Sequence, residues 1–91
     1  MEYSIETFKA AYPAWSVENG ELVATFNFTS FDEVTVAVNS IMKAADSINH
    51  HPTVTFGYNT VEVKTVTHDA GNSITNNDFA LARVISQELS K

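Results

Sequence analysis

The chain predicts an α+β fold in the order α-β-β-α-β-β-α, with a four-stranded antiparallel sheet and its helices packed on one face. Three observations predict it. Two segments alternate apolar and polar residues around a turn, a long segment between them repeats apolar residues every three or four positions, and shorter helical stripes stand at both ends. With 91 residues and no linker, repeat or low-complexity tract, residues 1–91 read as a single domain.

The first helix is short: Ser4 can cap it, Ile5, Phe8 and Tyr12 form its apolar stripe, and Pro13 ends it. A strand around Trp15 and Val17 follows, with Trp15 a core or subunit-contact residue. After a polar turn at Glu18-Asn19-Gly20, Leu22, Ala24, Phe26 and Phe28 alternate with Val23, Thr25 and Asn27, so the pair reads as a hairpin with one buried face. Thr29 or Ser30 caps the long helix. Its inner stripe is Phe31, Val34, Val38, Ile41, Ala45 and Ile48, at spacings of 3, 4, 3, 4 and 3. Pro52 disfavours a helical His51, so this helix should stop near Asn49 or His50. In the second hairpin Val54, Phe56 and Tyr58 alternate, Asn59 turns, and Val61 and Val63 alternate again, with Val66 and His68 on the opposite face. A loop runs from Asp69 to Ile74. Thr75 then caps a last helix whose inner stripe is Phe79, Ala82, Ile85 and Leu89.

The net charge of −6 argues against nucleic acid or an anionic membrane as a direct partner, since both require a positive footprint, although it leaves room for binding to a DNA-binding protein. The chain has no cysteine, hence no disulfide framework and no thiolate metal site. No apolar run approaches the roughly 18 residues of a membrane span, and the start lacks the basic and apolar regions of a signal peptide. The expectation is a soluble cytoplasmic protein.

All three histidines bracket the second hairpin. His50 and His51 precede it, sealed by Pro52, and His68 lies 18 positions beyond His50. Histidine is the side chain whose unperturbed pKa falls in the physiological range, so such a group suits proton transfer. A hairpin returns the chain close to where it left, which brings His68 toward the adjacent pair. Asp46, four positions before His50, shares a helical face with it if the helix extends that far, and a carboxylate there fixes the imidazole tautomer. Zinc accepts three histidines, but adjacent residues diverge and rarely both ligate one ion, so no metal is expected. Asp78 stands three residues after Thr75, which is also capping-box spacing. Asp69 could orient His68 or cap the loop.

The full pattern is Asp46, three residues, His50-His51-Pro52, five residues, Tyr58, nine residues, His68, nine residues, Asp78. With Trp15, Phe26-Asn27-Phe28 and Thr67-His68-Asp69-Ala70-Gly71, it resembles the pterin-4a-carbinolamine dehydratases over nearly the whole chain. The resemblance implies dehydration of 4a-hydroxytetrahydrobiopterin to quinonoid dihydropterin, in recycling of the tetrahydropterin cofactor of aromatic amino acid hydroxylases, by histidine acid–base catalysis without metal or organic cofactor. It implies catalytic roles for His50, His51 and His68. It implies a pterin site along His50, His51, Pro52, Thr67, His68, Asp69 and Ala70, with Asp46 and Asp78 in support. It also implies a homodimer or homotetramer joined through sheet edges and long helices. The alternative is a non-catalytic interaction module on the same fold, a transcription coactivator or an assembly factor. Three features depart from the family pattern: Asp46 where Glu is common, Ala24 where a basic residue is common, and an Asn72-Ser73-Ile74 loop that is one residue longer and lacks a second glycine.

Overall fold

A computed structural model describes residues 4–90. The elements run α1 (Ile5–Ala11), β1 (Trp15–Glu18), β2 (Glu21–Asn27), α2 (Phe31–Ile48), β3 (Thr53–Phe56), β4 (Thr60–Thr65), a single 3₁₀ turn at His68–Ala70, and α3 (Asn76–Leu89). The order is the expected one. The four strands form one antiparallel sheet, β1-β2-β4-β3.

Local chemistry sets each boundary. Ser4, Ser30 and Thr75 sit in extended backbone, and their hydroxyls accept from amides of the first helical turns. Asn19 and Gly20 both take left-handed conformations, φ 53° and 78°, which is the type I′ geometry that closes a two-residue hairpin with the natural strand twist. β2 and β4 then pair across the centre of the sheet, aligning Leu22 with Thr65, Ala24 with Val63 and Phe26 with Val61. That register puts the alternating apolar residues of both hairpins on one face.

The three helices cover that face. Phe8, Trp15, Leu22, Val34, Ile41, Val61, Val63, Phe79 and Ile85 form a continuous buried cluster. Trp15 is wholly buried, and its indole N–H donates to Ser86 Oγ at 2.7 Å, so the polar end of the largest core side chain is satisfied from α3. Two details of the expected stripes change. Phe31 is 46% exposed and packs beside Phe56, ring centroids 6.4 Å apart, because the first residue of α2 reaches the outer end of edge strand β3 rather than the core. Ala37, Ala44 and Leu81 are buried as well, so α2 and α3, which pack on each other as well as on the sheet, bury broader faces than a single stripe. Among the described residues no helix is long and apolar enough to cross a membrane.

The end of α2 matters most for the chemistry. The helix stops at Ile48, and Asn49 adopts φ 56°, ψ 43°. The amides of Asn49 and His50 bond back to the carbonyls of Asp46 and Ala45, at 3.2 and 3.1 Å. This is a Schellman closure, with asparagine accepting the left-handed position that most residues resist. It turns His50 off the helical surface before the chain enters β3.

Candidate active site

The turn at Asn49 redirects both histidines. His50 donates from Nε2–H to Asp78 Oδ1 at 2.6 Å, and His51 pairs through Nε2 with Asp46 Oδ1 at 3.2 Å. The expectation that Asp46 orients His50 is therefore corrected: its partner is His51. The four-residue helical spacing would join Asp46 to His50 only if His50 were still helical, and the left-handed cap has already turned it away. The His51–Asp46 pair is open to solvent, with side chains 62% and 83% exposed, so it contributes little to stability.

Asp78 is the buried centre of the site. Oδ1 accepts from His50 Nε2 and from the Thr65 hydroxyl at 2.6 Å, while Oδ2 accepts from the Thr67 hydroxyl at 2.7 Å and the Thr75 amide at 2.8 Å. The last of these bonds is half of a capping box, so the carboxylate starts α3 and holds His50 at once. Burial pushes the Asp78 carboxyl upward, but donation from Thr65, the Thr75 amide, His50 and Thr67 outweighs it and the carboxyl lies below its ordinary 3.8. A fixed carboxylate here requires the proton of His50 on Nε2, which leaves Nδ1 as the ring nitrogen without a partner among the described residues.

His68 comes to the same place from β4. Val61, Val63, Thr65 and Thr67 alternate inward and are all buried, so His68, one residue further, points outward onto the 3₁₀ turn. Its Nδ1 lies 2.7 Å from Asn72 Oδ1. A cleft of about 320 Å³ is lined by Asn49, His50, His51, Val66, Thr67, His68, Asp69 and Asn77. All three imidazoles face this one opening.

The remaining expected site residues divide. Thr67 and Asp69 line the cleft. Pro52 and Ala70 do not: Pro52 lines an adjoining apolar groove of about 250 Å³ with Met42 and Val54, because β3 begins beside it and leads away, while Ala70 lies exposed on the 3₁₀ turn. The carboxylate of Asp69 hydrogen-bonds neither His68 nor the loop. A larger groove of about 420 Å³ between α2 and α3 is lined by Phe28, Asp32, Glu33, Val36 and Glu88, but it holds no imidazole and so offers no acid–base group suited to neutral pH. Among the described residues no group of three or more His, Asp or Glu side chains is arranged to hold a metal ion.

Sequence reasoning missed Thr65 and Asn72 as partners, and Asn49, Val66 and Asn77 as cleft walls, whereas the capping-box bond between Asp78 and the Thr75 amide is the expected one. For Thr65 the signal was readable. A threonine continuing the inward parity of Val61 and Val63 must find a hydrogen-bond acceptor on the buried face.

The chain is similar to known proteins in both sequence and fold. A protein from Chloroflexus aurantiacus curated as "Putative pterin-4-alpha-carbinolamine dehydratase" is 40% identical over 78 residues, 86% of this chain and 83% of the relative. One of the same name from a Nostoc species is 36% identical over 86 residues, 94% and 91% of the two chains. Among solved structures, a transcriptional coactivator/pterin dehydratase from Brucella melitensis superposes with a TM-score of 0.79 at 21% identity, over 100% of both chains. A pterin dehydratase-like protein identified as a RuBisCO assembly factor in the alpha-carboxysome superposes with a TM-score of 0.64 at 16% identity, over 80% and 83%. Residues 2–88 match the family model of pterin 4 alpha carbinolamine dehydratase, and with relatives of that name at 36–40% identity the chain belongs to that family.

Proposed function

We propose that the chain catalyses dehydration of a 4a-hydroxytetrahydropterin, such as 4a-hydroxytetrahydrobiopterin, to the quinonoid dihydropterin, in recycling of tetrahydropterin cofactor. The observation that carries this reading is the cleft itself. His50 and His68 enter it from opposite ends of one hairpin, each with one ring nitrogen engaged by the protein and the other unbonded among the described residues. The reaction removes the hydroxyl from C4a and the proton from N5. The C4a–O bond breaks, the electrons of the N5–H bond form the C4a=N5 double bond, and the departing hydroxyl takes up a proton to leave as water. No net oxidation occurs. One imidazole must accept the N5 proton while the other supplies a proton to the hydroxyl, and neutral imidazole and imidazolium coexist near neutral pH to do so. His51, beside them on the cleft wall, would position the ring or share in proton transfer.

Purified protein is expected to accelerate the disappearance of 4a-hydroxypterin absorbance above its spontaneous rate, with the same rate in the presence of a chelator. Inhibition by the chelator would move the reading toward a metal centre. No acceleration at all would leave an interaction role on this fold, of the kind named for the RuBisCO assembly factor. The convergent imidazoles favour the enzyme, because scaffolding alone has no use for three of them around one cleft.

We further read α2 as covered by a second copy of the chain. Val36 and Met42 on its outer side are 66% and 52% exposed, and the aromatics Phe31, Phe56 and Tyr58 are exposed around the β3 end. A domain of 91 residues has a thin core, and such apolar surface gains by association. Sedimentation should give a dimer or tetramer mass rather than the 10.0 kDa monomer.

A further inference from the structure

We propose that Asn72 is a positioning residue for His68: its side-chain carbonyl fixes the Nδ1–H tautomer and so presents the bare Nε2 of that ring to the cleft. This deepens the dehydratase reading and depends on it for its catalytic consequence. His50 is held by a buried carboxylate with four donors, but His68 is exposed on a 3₁₀ turn, and among the described residues Asn72 is the only group bonded to its ring. Without that bond no hydrogen bond from a described residue selects between the two neutral tautomers or the two ring flips of His68.

The backbone is shaped to make the bond. Gly71 and Asn72 take consecutive left-handed conformations, φ 70° and 60°, which fold the loop back so that the residue four positions on meets the imidazole. Outside this turn, Thr67 and Ser73 exchange two backbone hydrogen bonds, 2.9 and 3.3 Å, closing the loop as an antiparallel bridge. Thr67 is in turn tied to Asp78 at 2.7 Å and Thr75 at 2.6 Å. The main chain of His68 is thus referenced to the same buried carboxylate that holds His50, and Asn72 supplies the remaining constraint, rotation of the ring. Asparagine suits both demands, since it tolerates the left-handed region and carries a carbonyl acceptor. The two acid–base rings then present different atoms to the substrate, Nδ1 of His50 and Nε2 of His68.

The test separates backbone from hydrogen bond. Asn72→Gly keeps the left-handed turn and removes the acceptor; Asn72→Asp keeps both. Long-range proton–nitrogen NMR of the neutral His68 ring should show Nδ1–H in the wild type and in Asn72→Asp, and a mixture of tautomers in Asn72→Gly. In the dehydration assay Asn72→Gly should lower kcat about tenfold with KM nearly unchanged, as expected when a reacting group is held less well, and Asn72→Asp should restore most of it. A wild-type spectrum with the proton on Nε2 would overturn the proposal, since the amide would then be donating its NH₂ to Nδ1. So would an Asn72→Gly protein with the wild-type tautomer and kcat. A wild type that shows the Nδ1–H tautomer but no turnover sinks the dehydratase reading and leaves the tautomer assignment standing, so the two failures are distinct.

Discussion

His50→Ala and His68→Ala should each lower kcat for dehydration by roughly 10²- to 10⁴-fold, the range a single general acid or base supplies. KM should change far less, because the walls formed by Asn49, Val66, Thr67 and Asn77 remain. The double variant should fall well short of the product of the two losses. Once one proton transfer is left to water, the second imidazole has a less organised transition state to act upon. His51→Ala should cost less than either, since its ring is paired with an exposed carboxylate and held by no buried group. Stopped-flow absorbance of the 4a-hydroxypterin gives all of these rates. Wild-type turnover in the double variant would remove His50 and His68 from the mechanism and assign both proton transfers to other groups. Neither substitution should unfold the protein. His68 is exposed and His50 lies at the rim of the core, so circular dichroism of the single variants should match the wild type.

The contrast between fold and site in what could be read beforehand has a physical basis. Strand parity and helical stripes are local and periodic, so the element order, the caps at Ser4, at Thr29 or Ser30 and at Thr75, and the turn at Glu18-Asn19-Gly20 were legible from the chain alone. The convergence of the histidines was also legible, because a hairpin returns the chain by construction. What was hidden depended on one dihedral angle. Asn49 in the left-handed region moves His50 from the helical surface to the bonding distance of Asp78, and with it exchanges the partners of two adjacent histidines. Asparagine is permitted there but is also ordinary within a loop, so its presence does not announce the turn. Asp78 was ambiguous for a related reason. Capping and support of the site looked like rival uses of one carboxylate, yet its two oxygens serve both: Oδ1 holds His50 and Oδ2 takes the Thr75 amide.

Asp78 variants should produce the largest combined effect on stability and rate. Asp78→Ala removes the common acceptor of four donors on the buried side of the site, and breaking such an arrangement costs about 3–5 kcal/mol. Against a total stability of about 5–15 kcal/mol for a domain, that variant approaches unfolding. Asp78→Asn is the better probe, at about 1–3 kcal/mol. The asparagine can present its carbonyl to only one side. If its NH₂ faces His50, the ring must accept at Nε2 and carry its proton on Nδ1, the wrong tautomer for the cleft. If its NH₂ faces Thr75, two donors collide at the start of α3. Either way His50 is displaced or mis-protonated, and kcat should fall by about 10² even in protein that remains folded. The pH dependence follows from the direction of the Asp78 shift. Its carboxyl lies below the ordinary 3.8 when folded, so near that pH the unfolded chain binds more protons than the native one. The stabilisation is fully present above the unfolded value and is lost as pH falls through the folded one. Urea midpoints measured from about pH 7 down to about pH 3 should therefore hold nearly level and then drop below about pH 4 in the wild type. Asp78→Asn should start lower and drop less. The carboxyl of Glu33 is also lowered, by donation from the Thr29 hydroxyl and amide, and supplies a residual slope of the same sign in both proteins. Equal slopes in the two would show that the Asp78 carboxylate, although surrounded by donors, is no more stabilised in the folded protein than in the unfolded chain.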